Sequence, residues 1–280
     1  MHSFQGKLYK HLVEVPVTDL DAFLHTPALT EAINIIDNQP LFWEDHYLRL
    51  MSSMRILRME IPLNFTLEYL QDKMTELMET RASIFNGRIL IRVIKSQRST
   101  PELPVVPTLF SLEITEVDPN FKYQLMDNPI DLYKDHYLPM GLYSTLESVH
   151  DTWREMAWVY VYENHYADGI LLNEQKRVVE ALNGSLFLIK GNQVQTPPIT
   201  EGCRKTVYRS IMLEVLSKSA DIEMIETPIS TFALQKADEL FVLNGIEGVN
   251  SVKKFRKKSF STQKTQQIVQ LFKERINKEV

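Results

Sequence analysis

Three places in this 280-residue chain carry side chains that could do chemistry. The first is Thr200-Glu201-Gly202-Cys203-Arg204-Lys205-Thr206, a small-residue bend that leads into a helical pattern with Val207, Ile211, Val215 and Leu216 inward. Arg204, Lys205 and Arg209 crowd the start of that helix. Cations there oppose the helix dipole, so the local placement is unfavourable. With the backbone N–H groups of the first turn they would make an anion site suited to phosphate; a solvated surface turn is the other reading. The second place is Arg49, in His46-Tyr47-Leu48-Arg49-Leu50 on an amphipathic helix, either a snorkelling surface cation or an anion ligand. The third is Glu180, after Val178-Val179 and before Ala181-Leu182-Asn183-Gly184. A carboxylate at the end of an apolar strand either reaches the surface or serves a site.

Composition narrows the partners. The chain is 44% hydrophobic and 24% charged, a soluble globular balance large enough for one big domain or two smaller ones. A net charge of −5 gives no global field for nucleic acid. The one basic run, Lys253-Lys254-Phe255-Arg256-Lys257-Lys258, reads as a solvated turn or as a patch for phosphate or an acidic partner. Cys203 is the only cysteine, which rules out an intramolecular disulfide and suits a reducing compartment. No apolar signal core opens the chain and no apolar run reaches the ~18 residues of a membrane span. A cytoplasmic protein with no membrane or nucleic-acid partner is expected.

The elements that must position these residues follow from periodicity. Leu8–Val17 alternates weakly, as a strand would. Tyr47, Leu50, Met51, Met54 and Leu57 form one helical face, with Arg49, Arg55 and Arg58 off it; the stripe Met51, Met54, Leu57 suits core or interface. Residues 65–80 repeat the habit, with Asn64 or Thr66 as cap. Residues 88–94 and 109–117 alternate as half-buried strands. Asp118–Pro129 carries little period and reads as a linker, between a smaller N-terminal domain over 1–117 and a larger one over 131–280. In the second half, residues 132–138 suggest a strand. Residues 147–163 suggest a helix with Val149, Trp153, Met156, Ala157, Tyr160 and Val161 at helical spacing. Strands follow at 169–172, 178–179 and 186–189, the last turning at Gly191-Asn192 into a hairpin with 194–196. A buried strand over 240–243 and an amphipathic tail over 261–279 complete an α+β or α/β pattern in two halves, with a cleft between them expected.

The stretch Leu171–Cys203 resembles the central signature of class IV aminotransferases, the pyridoxal-phosphate (PLP) enzymes that include branched-chain aminotransferases and aminodeoxychorismate lyases. Three further matches run in family order. His46-Tyr47-Leu48-Arg49-Leu50-Met51-Ser52-Ser53 matches His-x-x-Arg-Leu-x-x-Ser, and the helix start after Thr-Pro-Pro-x-x-x-Gly-Cys is present. Ala237-Asp238-Glu239-Leu240-Phe241-Val242-Leu243-Asn244 matches Ala-Asp-Glu-x-Phe-x-x-Asn. The resemblance implies a two-domain fold-type IV PLP enzyme, similar to D-amino acid aminotransferase, with the cofactor between domains. It implies that Arg49 holds the PLP phosphate and that Glu180 pairs with the pyridine nitrogen, keeping the ring an electron sink. It also puts Val207 and Tyr208 N–H on the phosphate, Arg209 in the family's arginine slot, and Asn244 and Gly245 in a further phosphate loop.

The departures gather on the pocket. Where the family reads Ser-Thr-Leu-Lys-Thr-x-Asn, this chain has Ser144-Thr145-Leu146-Glu147-Ser148-Val149-His150, so Glu147 stands at the Schiff-base lysine and His150 at the asparagine. No lysine occurs between Lys134 and Lys176. A carboxylate cannot form the imine or pass through transimination, though it could move a proton. The family's Gly-Asp-Gly-x-Phe-Glu, which lines the substrate pocket, is here Thr26-Pro27-Ala28-Leu29-Thr30-Glu31, retaining only Glu31. Leu-Pro-Gly before the phosphate helix becomes Arg204-Lys205-Thr206, and Ser185 replaces an asparagine. The expected protein is therefore a catalytically degenerate relative. PLP remains a candidate cofactor with no Schiff base expected, and an amino acid, keto acid or phosphate is a candidate ligand. Two alternatives stand beside it: an active transaminase or aminodeoxychorismate lyase with a divergent site, in which Lys205 could substitute, and a dimeric scaffold using a homodimer surface. No metal is expected.

Overall fold

The computed structural model describes residues 2–10, 28–97, 99–147 and 152–279. These cluster into two compact units. One holds the described residues of Met1–Pro119 with Glu147 and Glu279; the other holds Asn120–Leu146 and the described residues of Asp151–Lys278.

The first unit is built on a six-stranded antiparallel sheet. Its order is Lys7–Tyr9, His2–Phe4, Thr108–Thr115, Gly87–Lys95, Ala28–Ile36 and Gln39–Pro40. Alternation makes one face apolar: Ile89, Ile91 and Val93 are buried, as are Leu29, Ile33 and Ile35 on the neighbouring strand. Two helices, Trp43–Ile56 and Leu67–Met78, belong to the same unit. Thr66 caps the second through its hydroxyl, which accepts the N–H of Tyr69. Met51 and Met54, read from sequence as core or interface, are buried in the core.

The second unit carries two six-stranded sheets. In one, Arg177–Ala181 and Asp168–Leu172 pair antiparallel, and Asp168–Leu172 pairs parallel with Ile130–Leu132. In the other, the hairpin Ser185–Lys190 with Gln193–Thr196 pairs through Glu239–Asn244 to Gly248–Val252. Gly248–Val252 then runs parallel to Lys122–Met126. So the stretch 118–130, which looked structureless for want of a period, supplies one strand to a sheet and the start of another. Short strands that borrow their burial from neighbours leave little pattern in the sequence.

A second departure matters more for the site. The helix Thr152–Glu163 buries Arg154, Ala157 and Val161, while Trp153 and Met156, expected inward, are exposed. The inward face is shifted because an arginine occupies it. Gly169 lets that helix come close: a Cβ there would lie 3.0 Å from Val161 and 3.1 Å from Leu182. Ala157, Val161, Leu171, Val179, Leu182 and Cys203 pack as one cluster. On the other side of the same sheet, Val178, Ala181, Ile170 and Leu172 join a larger core. Val178 and Ala181 are three residues apart yet share a side, because the strand is bulged between Val178 and Glu180.

Gly248 fixes the join of the Lys122 strand. Its φ is +116°, and a Cβ would sit 2.0 Å from the carbonyl oxygen of Lys122. Left-handed backbone alone costs a non-glycine residue about 1–2 kcal/mol, and the backbone clash adds to it. Gly248→Ala should destabilise the protein by at least about 2 kcal/mol, lowering the thermal midpoint by roughly 2–4 °C per kcal/mol, measurable by calorimetry.

Candidate functional site

In the first unit, the site residues gather around one carboxylate. Glu31 lies on the apolar face of Ala28–Ile36 and is 1% exposed, flanked along the strand by buried Leu29 and Ile33. A buried carboxylate requires partners. They come from one face of the Trp43–Ile56 helix, three residues apart: His46 Nδ1 donates to Glu31 Oε2 at 2.8 Å and Arg49 Nη2 at 2.8 Å. Arg49 also lies 3.8 Å through Nη1 from the Glu147 carboxylate. The backbone joins the same group, since Thr30 N–H donates to the carbonyl of Glu147 at 3.2 Å. The structure thus unites Glu31, Arg49 and Glu147 and adds His46. His150 lies outside the described residues.

In the second unit, the bulge before Glu180 turns its side chain toward the Thr152–Glu163 helix. Its carboxylate is 1% exposed and bound from two directions. Arg154 donates to Oε1 through Nε at 3.0 Å and Nη2 at 2.6 Å. The backbone N–H of Arg204 donates to Oε2 at 2.8 Å, and Arg204 Nε lies 3.0 Å from Oε1. Arg204 also donates to the carbonyl of Leu182. Burial alone would raise the Glu180 carboxyl, but the charges of Arg204 and Arg154 and their hydrogen bonds outweigh it and hold it below the usual carboxylate range.

The helix Val207–Ser217 starts at Thr206, whose hydroxyl accepts the N–H of Arg209. Val207 and Tyr208 are buried in its first turn, and Gly245 packs on Tyr208 so closely that a Cβ would lie 2.5 Å from the ring. Those three predicted positions therefore meet. Asn244 closes its own turn: Nδ2 donates to the carbonyl of Asn183, and Oδ1 accepts from the N–H groups of Ile246 and Glu247. Arg209 is 2% exposed and donates to the carbonyl of Pro197 and the carboxylate of Glu226. Its guanidinium is thus directed to an internal ion pair. Glu239 of the Ala237–Asn244 motif caps the Gln263–Asn277 helix, accepting from the N–H groups of Lys264 and Thr265.

Sequence reasoning missed Arg154. The signal was present, because Arg154, Ala157 and Val161 share a helical face, and an arginine on a buried face demands an anion.

A profile of the amino-transferase class IV family matches residues 28–255, and the chain belongs to that family. It is 26% identical over 265 residues to a probable branched-chain-amino-acid aminotransferase of Aquifex aeolicus, covering 85% of this chain and 79% of the relative. Its structure is similar to the PLP form of the branched-chain aminotransferase of Thermobaculum terrenum, with a TM-score of 0.81 at 15% identity over 100% of this chain and 94% of the other. It is also similar to 4-amino-4-deoxychorismate lyase of Pseudomonas aeruginosa, with a TM-score of 0.79 at 16% identity over 100% and 99%. The fold is the two-domain α+β architecture of fold-type IV. No helix among the described residues is long and apolar enough to cross a membrane.

Two other buried groups border these elements. Burial pushes the Cys203 thiol up to about 12. Burial also pushes the Asp168 carboxyl up to about 7, against hydrogen bonds from the backbone of Gly169, Asn183 and Leu182 and the side chain of Asn183. The folded protein therefore holds a proton on Asp168 that the unfolded chain has released above pH ~4, so this residue weighs against folding increasingly from about pH 4 to pH 7. Asp168→Asn should gain stability relative to wild type by up to about 1.4 kcal/mol per pH unit within that window, so its advantage in melting temperature is larger at pH 8 than at pH 5. Melting curves at both pH values check it.

Proposed function

We propose that this chain is a catalytically degenerate member of the class IV aminotransferase family, a cytoplasmic protein that uses the fold as a small-molecule binder or scaffold without a Schiff base. The observation that carries the reading is Glu147. The family resemblance puts it at the lysine position, and its carboxylate faces Arg49. A carboxylate has no amine to condense with an aldehyde, and it sets a negative charge beside the arginine that would hold a phosphate dianion.

The residues assigned to PLP do not fit it. Arg49 pairs with Glu31 and lies near Glu147, Arg209 pairs with Glu226, and Asn244 ties down its own turn. The side chains expected at the phosphate, Arg49, Arg209 and Asn244, are thus each engaged within the chain. Glu180, expected to meet the ring nitrogen, is neutralised by two arginines. An amino acid, keto acid or small phosphate remains the ligand class to screen.

Purified protein incubated with PLP should show no long-wavelength imine absorbance and, after borohydride reduction, no mass-labelled lysine. Transfer from a branched-chain amino acid to 2-oxoglutarate, and turnover of aminodeoxychorismate, should not exceed those of Glu147→Ala. A single labelled lysine in the native chain would sink the reading.

A second reading, a homodimeric interaction protein, draws on the Thr152–Glu163 helix. Met156, Val159 and Tyr162 form an exposed outward stripe, flanked by exposed Trp153 and Trp158. Class IV aminotransferases are typically dimeric, and an apolar stripe of this kind suits a second copy. Sedimentation velocity at micromolar concentration should give a dimer for wild type and a monomer for Val159→Glu; a wild-type monomer removes this reading.

A further inference from the structure

We infer that Arg154, assisted by Arg204, stands in for the ring cation that the family's cofactor would bring to Glu180, so that the second unit completes this layer by itself and shuts the ring out. The inference rests on the reading of Glu147 given above and extends it to a different residue and a different part of the cofactor. Glu180 is almost wholly desolvated, and a carboxylate so placed needs a cation and hydrogen-bond donors. In the family, the resemblance assigns that duty to the pyridinium N–H. In this chain three nitrogens donate instead, Nε and Nη2 of Arg154 and the backbone N of Arg204, and the Arg204 guanidinium adds an ion pair with Nε 3.0 Å from Oε1. Of the roughly four lone-pair sites of a carboxylate, three are already taken, both bonds of Arg154 on Oε1 and one from Arg204 N–H on Oε2. Two guanidinium charges already face one carboxylate, and a ring cation would add a third positive charge to a desolvated layer.

Arg154 is built into its place. It sits on the buried face of its helix with Ala157 and Val161, and Gly169 permits the close approach of that helix to the strand beside Glu180. The ion pair is the polar edge of the cluster formed by Val179, Leu182, Ala157 and Val161. Losing the cofactor's lysine would by itself leave Glu180 short of a partner whenever the cofactor departed. Arg154 removes that dependence.

The test has two arms. In the first, PLP affinity is measured by equilibrium dialysis, with borohydride trapping, for E147K and for E147K/R154Q. The inference expects the double variant to bind roughly tenfold or more tightly than the single one. Equal affinities, whether both bind or neither does, overturn it. In the second arm, with no cofactor present, R154Q should lower the melting temperature by about 5 °C or more, and E180Q/R154Q should recover at least half of the loss. Failure of R154Q to fold, with recovery in E180Q/R154Q, supports the inference. No loss in R154Q, or no recovery in the double variant, overturns it. The two readings fail separately: a trapped lysine in the native protein sinks the degenerate-enzyme reading, whereas binding by E147K as tight as by E147K/R154Q sinks only this one.

Discussion

A carboxylate taken out of water inside a protein cannot stand alone, because its lost hydration costs more than any single packing contact returns. Glu180 is such a group, and much of the second unit is arranged around it. The bulge in Arg177–Ala181 turns it toward a helix, glycine at 169 lets the helix draw near, and the bend after Cys203 delivers both a backbone N–H and a guanidinium. The resulting triad is one carboxylate between two arginines and carries a net positive charge. Arg204 also donates to the carbonyl of Leu182, which satisfies a donor without changing that charge.

The first unit repeats the problem with different parts. Glu31 occupies a strand position whose alternation calls for an apolar side chain, and His46 and Arg49 answer it from successive turns of one helix. Arg49 then stands between two acids, Glu31 and Glu147. In both units the cations that the family resemblance assigns to cofactor binding, or the acid they would serve, are satisfied by neighbouring side chains. The framework of a class IV aminotransferase is retained, and Glu31, Arg49, Glu180 and Arg209 each meet a charged partner within the chain.

Much of this could be read from the residues. The helices at 43–56, 67–78 and 207–217, the hairpin at 185–196 and the alternating strands at 87–95 and 108–115 follow from period and turn chemistry. So does the tail helix, whose buried residues Ile268, Val269, Phe272 and Ile276 repeat at helical spacing. Glu147 stood out only through the family resemblance, since a lone glutamate in a loop has no pattern of its own. Lys122–Met126 escaped because an edge strand with exposed residues lacks alternation. Arg154 escaped because helix faces are found by counting apolar residues, and here the inward face starts with a charge. Trp153 and Met156 pulled the estimated face around by about one residue's rotation.

Cys203 shares a cluster with the helix that carries Arg154, and it directly precedes Arg204. It is the sole thiol, buried and held in its protonated form. Such a sulfur is a poor nucleophile toward alkylating reagents until water reaches it. The chain therefore contains a built-in reporter: the rate at which a disulfide-exchange dye consumes one equivalent counts every opening, local or global, that exposes the cluster around Cys203.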